Sequence, residues 1–189
     1  MRPSLRSTTT HSPVRTLLIC VGLAGLTLAL YWRTAHYPFI TYDDRLYVSE
    51  NPHVLGGLTS SNVAWAFTTW HTGNWHPLTW LSLMLDAQLF GKNAGAFHLT
   101  NILLHAANAV LLFLVLRLLT PFDCSRRAVG DADATPARSA FHRDAATDEW
   151  RNTFVAAVFA VHPMHVESVA WISEHKDVLS ALFFLLALA

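Results

Sequence analysis

The chain has 189 residues, of which 52% are hydrophobic and only 14% are charged. Because soluble domains carry about 25% charged residues, this composition favours a membrane protein. The 13 basic residues balance the 13 acidic ones, which argues against a nucleic-acid-binding protein. The two cysteines, Cys20 and Cys124, are too few for a secreted domain built on disulfide bonds.

The first apolar stretch follows a basic tail, residues 1–15, and predicts a membrane span over residues 16–32. These residues carry no charge, and their number is at the lower limit for a helix that crosses a bilayer. The arginines of the tail also resemble the basic region of a signal peptide. However, the stretch ends in Leu30-Tyr31-Trp32 rather than in small residues, and such aromatics are typical of a membrane interface. We therefore favour an uncleaved anchor.

Residues 33–96 form a segment that is too long for a simple connector. Thr59 to Asn62 offer N-caps for one helix, and Pro77 begins a second that ends at Gly91. Four tryptophans in this segment suit helices that lie in the membrane interface, although we favour plain aromatic packing for the side chains themselves: Trp65, Trp70, Trp75 and Trp80.

The second predicted span, residues 97–119, carries a polar stripe. Its members are spaced so that they fall within an arc of about 80° on one helix face: His98, Asn101, His105 and Asn108. Polar groups in a span face the bundle interior, since lipid offers no hydrogen bonds. The stripe therefore marks a buried face, which either lines a cavity or holds neighbouring helices by hydrogen bonds.

The rest of the chain predicts a flexible loop over residues 120–151 and a third span over residues 152–172, broken by Pro163. A charged turn, residues 173–177, follows. Residues 178–189 are apolar to the end but too short to cross a bilayer. We interpret the chain as an N-terminal fragment that ends inside a fourth span.

The basic residues predict the orientation of the spans. Nine of the 13 lie in or beside the tail and the 120–151 loop: Arg2, Arg6, Arg15, Arg117, Arg126, Arg127, Arg138, Arg143 and Arg151. We therefore expect a multi-pass protein of the cell's inner membrane with a cytoplasmic N-terminus, in which residues 33–96 and 173–177 face outwards.

Three groups of polar residues are candidates for chemistry. Asp43 and Asp44 follow the first span, where a carboxylate can act as a general base or hold a divalent cation such as Mg²⁺ or Mn²⁺. The charged turn is Glu174-His175-Lys176-Asp177, whose cations suit a phosphate. The third group has metal-ligand residue types at a spacing that matches no standard zinc motif: His162, His165 and Glu167.

Taken in order, these motifs resemble one family. The series is Asp43-Asp44, Tyr47-Val48, Asn51-Pro52, Asn74 to Thr79, Phe97 to Asn101, His105, His162 to Trp171 and Glu174 to Asp177. It resembles the N-terminal membrane part of bacterial relatives of the transmembrane and tetratricopeptide-repeat O-mannosyltransferases. The likeness covers nearly the whole chain outside the tail and the 120–151 loop.

This resemblance implies an all-α polytopic membrane bundle of the GT-C type, with interfacial helices in the first outer loop. It implies transfer of a mannose-like sugar from a polyprenyl-phosphate donor to a hydroxyl acceptor, expected to be on protein, outside the cytoplasm. Asp43 would be the base and Asp44 its neighbour near the donor or a metal. Glu174, His175, Lys176 and Asp177 would lie near the donor phosphate, and Asn74 and His76 would border the site. Full-length relatives carry tetratricopeptide repeats after further spans, so the fragment alone is expected to be inactive.

One position departs from the family pattern. Relatives usually have Arg where this chain has His175, and a histidine that bound phosphate would lose its charge near neutral pH. We expect the remaining polar residues to line the cavity: His98, Asn101, His105, His162, His165 and Glu167. The alternative is a non-enzymatic polytopic protein, a transporter or a scaffold whose missing part carries repeats.

Overall fold

A computed structural model describes residues 12–120 and 145–189, and every regular element in these ranges is helical. The expected all-α fold is therefore observed there. The α-helices are α1 (Pro13–Tyr31), α2 (Pro52–Leu55), α3 (Ser60–Thr68), α4 (Pro77–Phe90), α5 (Ala94–Leu119), α6 (Ala145–Val161), α7 (His165–Ala170) and α8 (His175–Leu188). Short 3₁₀ turns occupy Trp32–His36, His71–Gly73 and Ile172–Glu174, and Arg45–Ser49 forms a π-helical turn.

Two helices of the described ranges are long and apolar enough to cross a membrane. They are α1 together with its 3₁₀ extension, Pro13–His36, and α5, with mean hydropathies of 1.9 and 2.2. Helix α5 begins at Ala94, earlier than the predicted residue 97, because Oδ1 of Asn93 accepts a hydrogen bond from Gly95 N–H and caps it. Helices α6 and α8 have 17 and 14 residues, so the third and fourth spans stay predictions.

Helix α5 lies at the centre of the bundle and packs against α1, α6 and α8. At one level Leu23, Phe113 and Ala156 join α1, α5 and α6. Nearer the other end of α5, apolar contacts join α1, α5, α7 and α8 through Tyr31, Ile102, Val169 and Val178. Helix α1 contributes Leu23 and Tyr31 to these contacts, and its retention as an anchor stays a prediction.

The N-terminal end of α1 meets the start of α6. Arg15 forms an ion pair of 2.9 Å with Glu149, whose side chain is only 3% exposed, and Arg117 donates a hydrogen bond to Thr16. These contacts make residues 145–151 the first turns of α6, whereas the sequence assigned them to a flexible loop. The remainder of the predicted loop, including Cys124, lies outside the described residues.

At the other end of α5, residues 37–93 form a lobe that we call the outer lobe. Two of its helices, α2 and α3, begin at side-chain caps: Asn51 accepts hydrogen bonds from His53 and Val54 N–H, and Thr59 from Asn62 N–H. Its core contains Tyr47, Val48, Val54, Ala66, Trp80, Leu83, Met84, Phe97 and Ile172. The last two residues come from α5 and from the turn before α8, so this core joins the lobe to the bundle.

The four tryptophans of this region divide into two kinds. Trp80 is completely buried and Trp65 packs against its edge, whereas Trp70 and Trp75 are 71% and 54% exposed. Of the two interpretations, aromatic packing is the one observed for Trp80, because its indole fills the core of the outer lobe. An interfacial role stays a prediction for the exposed Trp70 and Trp75.

Candidate functional site

The outer lobe and the charged turn meet at Asp44. Its Oδ1 accepts a hydrogen bond of 3.1 Å from Ser173 N–H, and its Oδ2 accepts one of 3.0 Å from Ile40 N–H. The carboxyl group is 1% exposed; burial raises its pKa, and the two backbone donors partly oppose that effect. A direct contact thus joins Asp44 to Ser173, the first residue of the 173–177 turn.

Lys176 lies beside this contact. Its Nζ donates to Glu174 Oε2 at 2.6 Å and stands 5.9 Å from the centre of the Tyr47 ring. The side chains of Lys176 and Glu174 are 31% and 19% exposed, so the pair is accessible to solvent. Tyr47 in turn stacks on His76, at 5.6 Å between ring centres. Burial, together with the positive charge of Lys176, lowers the pKa of His76.

Asp43 and Asp44 therefore have different surroundings. Both oxygens of Asp44 hold backbone amides, which is typical of an anchoring carboxylate. Asp43 is half-buried and has no hydrogen-bond partner within residues 12–120 and 145–189. Of the two, Asp43 is the carboxylate that remains available to a ligand. In the same ranges, no group of three or more His, Cys, Asp or Glu side chains is arranged to hold a metal ion.

His175 lies elsewhere than expected. It is 1% exposed, its Nδ1 is hydrogen-bonded to Oδ1 of Asn101, and its Nε2 to Ser82 Oγ at 2.8 Å. Asn101 donates its amide to Trp171 O, which turns its oxygen to the ring and fixes the proton on Nδ1. Burial lowers the pKa of His175 to about 4. Because both ring nitrogens are occupied and the ring is neutral, the phosphate contact expected of this residue is replaced by a role in holding α4, α5 and the 171–175 turn together.

The polar stripe of α5 serves the same purpose. Asn101 donates to Trp171 O, His105 bonds to Ala160 O, and Asn108 donates to Val178 O at 2.8 Å. His98 is 3% exposed and packs edge-on against Tyr37. Of the two interpretations left open by the sequence, the structure shows hydrogen bonding between helices for three of the four residues, instead of the cavity lining expected of Asn101 and His105.

The remaining predicted site residues make other contacts. Asp177 accepts a hydrogen bond of 3.0 Å from Ser168, and Asn74 is exposed, with its amide on Thr72 O. His165 packs against His105 and Phe159. His162 and Glu167 are exposed, and Nδ1 of His162 accepts from Met164 N–H.

Sequence reasoning missed several residues that build the site. Ser173 contributes only its backbone N–H, and Ser82 only a hydroxyl on His175, so neither carries a sequence signal. Asp86 was detectable as the single charge of α4; it is 5% exposed and accepts a hydrogen bond from Thr100.

Comparisons with known proteins give related sequences. The chain is 31% identical to protein O-mannosyl-transferase Tmtc1 of Drosophila melanogaster over 98% of its own length and 19% of that protein. It is 34% identical to TMTC2 of Mus musculus over 87% of its length and 17% of that protein. It is 31% identical to TMTC1 of Mus musculus over 87% of its length and 16% of that protein.

The chain thus spans less than a fifth of the length of the curated relatives it matches. No family model matches the sequence. No solved structure matches it either.

Proposed function

Because this chain is related over most of its length to the TMTC family of protein O-mannosyltransferases, we propose that it carries part of the catalytic site of a membrane mannosyltransferase. The donor is a polyprenyl-phosphate mannose, and the acceptor is a hydroxyl group of a protein on the non-cytoplasmic side. The observation that supports this most is the bond between Asp44 and Ser173, since it joins the immediate neighbour of Asp43 to a turn that carries the solvent-accessible Lys176 three residues further on.

Asp43 is the general base in this proposal. It removes the proton of the acceptor hydroxyl while that oxygen attacks the anomeric carbon of the donor sugar. The bond from the anomeric carbon to the phosphate oxygen breaks, its electron pair leaves with the polyprenyl phosphate, and the configuration inverts. This parallels inverting glycoside hydrolysis, with an alcohol in place of water.

Lys176 stabilises the negative charge that develops on the departing phosphate. A compact ammonium suits this task as a point charge, and its bond to Glu174 fixes its position against the Tyr47 ring. Asp44 is a positioning residue, because its carboxylate holds the turn that carries Glu174 and Lys176.

The proposal places the site at the membrane surface. It lies where the outer lobe meets the end of α5, and the exposed Trp70 and Trp75 belong to the same lobe. A donor with a long lipid chain reaches such a site with its phosphate at the interface and its tail among the spans. A multi-pass GT-C bundle with a cytoplasmic N-terminus gives this arrangement.

The experiment is mannose transfer by the full-length protein in nanodiscs with polyprenyl-phosphate mannose and a Ser/Thr-containing acceptor. Asp43→Asn should abolish transfer and leave membrane insertion and thermal stability unchanged. Asp148→Asn is the matched control, since Asp148 pairs with Arg151 on α6 and should retain full transfer. Full activity of Asp43→Asn would overturn the assignment.

A transporter or scaffold is the competing function. A transporter needs polar groups that line its path. Three of the four residues of the polar stripe on α5 are instead hydrogen-bonded to carbonyl groups of neighbouring segments. A scaffold would keep its partners after loss of both Asp43 and Lys176, whereas the enzyme would lose transfer without Asp43 and would need a higher donor concentration without Lys176.

A further inference from the structure

The outer lobe contains a cavity of about 310 Å³ that the proposed transfer reaction does not use. It is lined by Arg45, Leu46, Glu50, Asn51, Pro52, His53, Trp65 and His71. Its size is at the lower end of the range for small-molecule sites, about 300–1,000 Å³, and matches a ligand no larger than a single sugar ring. Its lining includes none of the residues assigned to transfer, Asp43, Glu174 and Lys176, although Arg45 directly follows Asp44 in the chain.

The charges of this cavity compensate one another. Arg45 and Glu50 form a two-point ion pair, with Nε to Oε1 and Nη2 to Oε2 both at 2.8 Å, and both side chains are more than half exposed. A phosphate would have to compete with Glu50 for the guanidinium and would meet the carboxylate. The pair instead offers donors and acceptors side by side to a neutral ligand.

The two histidines provide further acceptors. Asn62 donates its amide to Gly57 O, so its oxygen accepts from Nδ1 of His53. His71 bonds Leu46 O through Nε2, which must therefore carry the proton. In the neutral rings, Nε2 of His53 and Nδ1 of His71 remain as acceptors without partners in residues 12–120 and 145–189. Acceptor nitrogens repel anions and suit the O–H groups of a polyol.

An aromatic wall completes the cavity. The rings of His53 and Trp65 are parallel within 12°, with centres 4.4 Å apart, and Trp65 packs on Trp80 and His71. Such a wall takes the apolar C–H face of a ring while the polar side chains take its hydroxyls.

The loop that carries His71 is held in a strained conformation. Thr72 has φ 60°, which is unfavourable for a β-branched residue, and its hydroxyl reaches Tyr47 Oη at 3.1 Å. The π-helical turn Arg45–Ser49 forms the facing wall, and π-turns are frequent at functional sites. Strain retained beside a cavity is consistent with a binding role.

From these features we infer that the cavity binds one neutral pyranose unit, at a subsite separate from the transfer centre. The inference rests on the proposed function only for the choice of mannose as the sugar. Because the mannose of the lipid donor has to lie at Asp43 during transfer, the sugar that this subsite binds is a mannose already linked to the acceptor protein.

The test is saturation-transfer NMR on the full-length protein in nanodiscs, with methyl α-D-mannopyranoside as the probe. The wild-type protein should give saturation transfer to the ring protons. Arg45→Ala and Glu50→Ala should each weaken binding roughly tenfold, since each removes about 1–1.5 kcal/mol of polar contact. Arg33→Ala is the matched control, because Arg33 is exposed and outside the cavity, and it should bind like the wild type.

Three results would overturn the inference: no transfer to the mannoside, binding unaffected by the Arg45 and Glu50 variants, or displacement of the mannoside by inorganic phosphate. Competition by an O-mannosylated serine peptide supports the subsite, whereas competition by polyprenyl-phosphate mannose alone would make the cavity part of the donor site and overturn a separate subsite. Asp43→Asn should bind the mannoside normally. If Asp43→Asn binds the mannoside but no longer transfers mannose, binding and transfer are independent. Failure of this inference can then be told apart from failure of the proposed reaction.

Discussion

Asp44 and Ser173 are 129 residues apart in the sequence, and a hydrogen bond of 3.1 Å from the Ser173 N–H to Oδ1 of Asp44 joins them. The second oxygen of Asp44 accepts from Ile40 N–H at 3.0 Å. One buried carboxylate thereby closes the outer lobe on the turn that presents Glu174 and Lys176. The position of the charged turn thus depends on this carboxylate as well as on the burial of Ile172 in the core of the outer lobe.

We expect Asp44→Asn to destabilise the protein. An asparagine has one acceptor oxygen, so one of the two backbone N–H groups would face an NH₂ group and lose its partner. Leaving a buried donor unsatisfied costs about 1–3 kcal/mol. The check is the melting temperature of the full-length protein in detergent, where Asp43→Asn should melt like the wild type. Equal melting of both variants would show that Asp44 does not anchor the turn.

The helices and their ends were largely predictable from the sequence, and the contacts between distant segments were not. Thr59 and Pro77 begin helices where the sequence indicates, because capping and proline preferences are local. The bond of Asp44 to a backbone amide and the burial of His175 depend on tertiary packing. From its residue type alone, His175 was therefore expected to bind the donor phosphate. In the structure its ring instead joins α4 and α5 through hydrogen bonds to Ser82 and Asn101.

Lys176→Ala should raise the KM of the full-length enzyme for polyprenyl-phosphate mannose. The ammonium is the accessible cation beside Tyr47 and His76, and a charged hydrogen bond contributes about 1.5–3 kcal/mol, which corresponds to roughly 10- to 100-fold. Initial rates at varied donor concentration measure this effect. Lys92→Ala, an exposed lysine after α4, is the control. An unchanged KM in Lys176→Ala would remove Lys176 from the donor site.

His175 should make the fold sensitive to acid without affecting donor affinity near neutral pH. Burial lowers the pKa of His175 to about 4 from its ordinary value of 6.5, so the unfolded chain binds more protons than the folded one between these values. Stability therefore falls as the pH drops from about 6.5 to 4, by up to about 3 kcal/mol.

The variant for this prediction is His175→Gln, whose amide can donate to Asn101 and accept from Ser82. Melting temperatures at pH 7 and pH 4.5 should differ less for this variant than for the wild type. The KM for the donor, measured between pH 6 and pH 8, should depend on pH in the same way in the wild type and in His175→Gln. A pH dependence found in the wild type alone would restore the phosphate contact expected from the sequence.

Asp86 should produce the opposite pH dependence. Its carboxyl group is 5% exposed in α4, with Thr100 as its one hydrogen-bond donor, and burial raises its pKa from 3.8 to about 6. The folded state then binds more protons than the unfolded state between these values. Stability therefore falls as the pH rises from about 4 to 6, by an amount on the order of 3 kcal/mol.

Asp86→Asn keeps an oxygen for the Thr100 hydroxyl and removes the ionisation, so this fall should disappear. The measurement is the difference in melting temperature between variant and wild type at pH 4.5 and at pH 7.5. That difference should shift in favour of the variant at the higher pH, since the wild type alone then carries a buried charge between α4 and α5. A difference that is the same at both pH values would mean that Asp86 is ionised in the folded protein throughout, with water reaching its second oxygen.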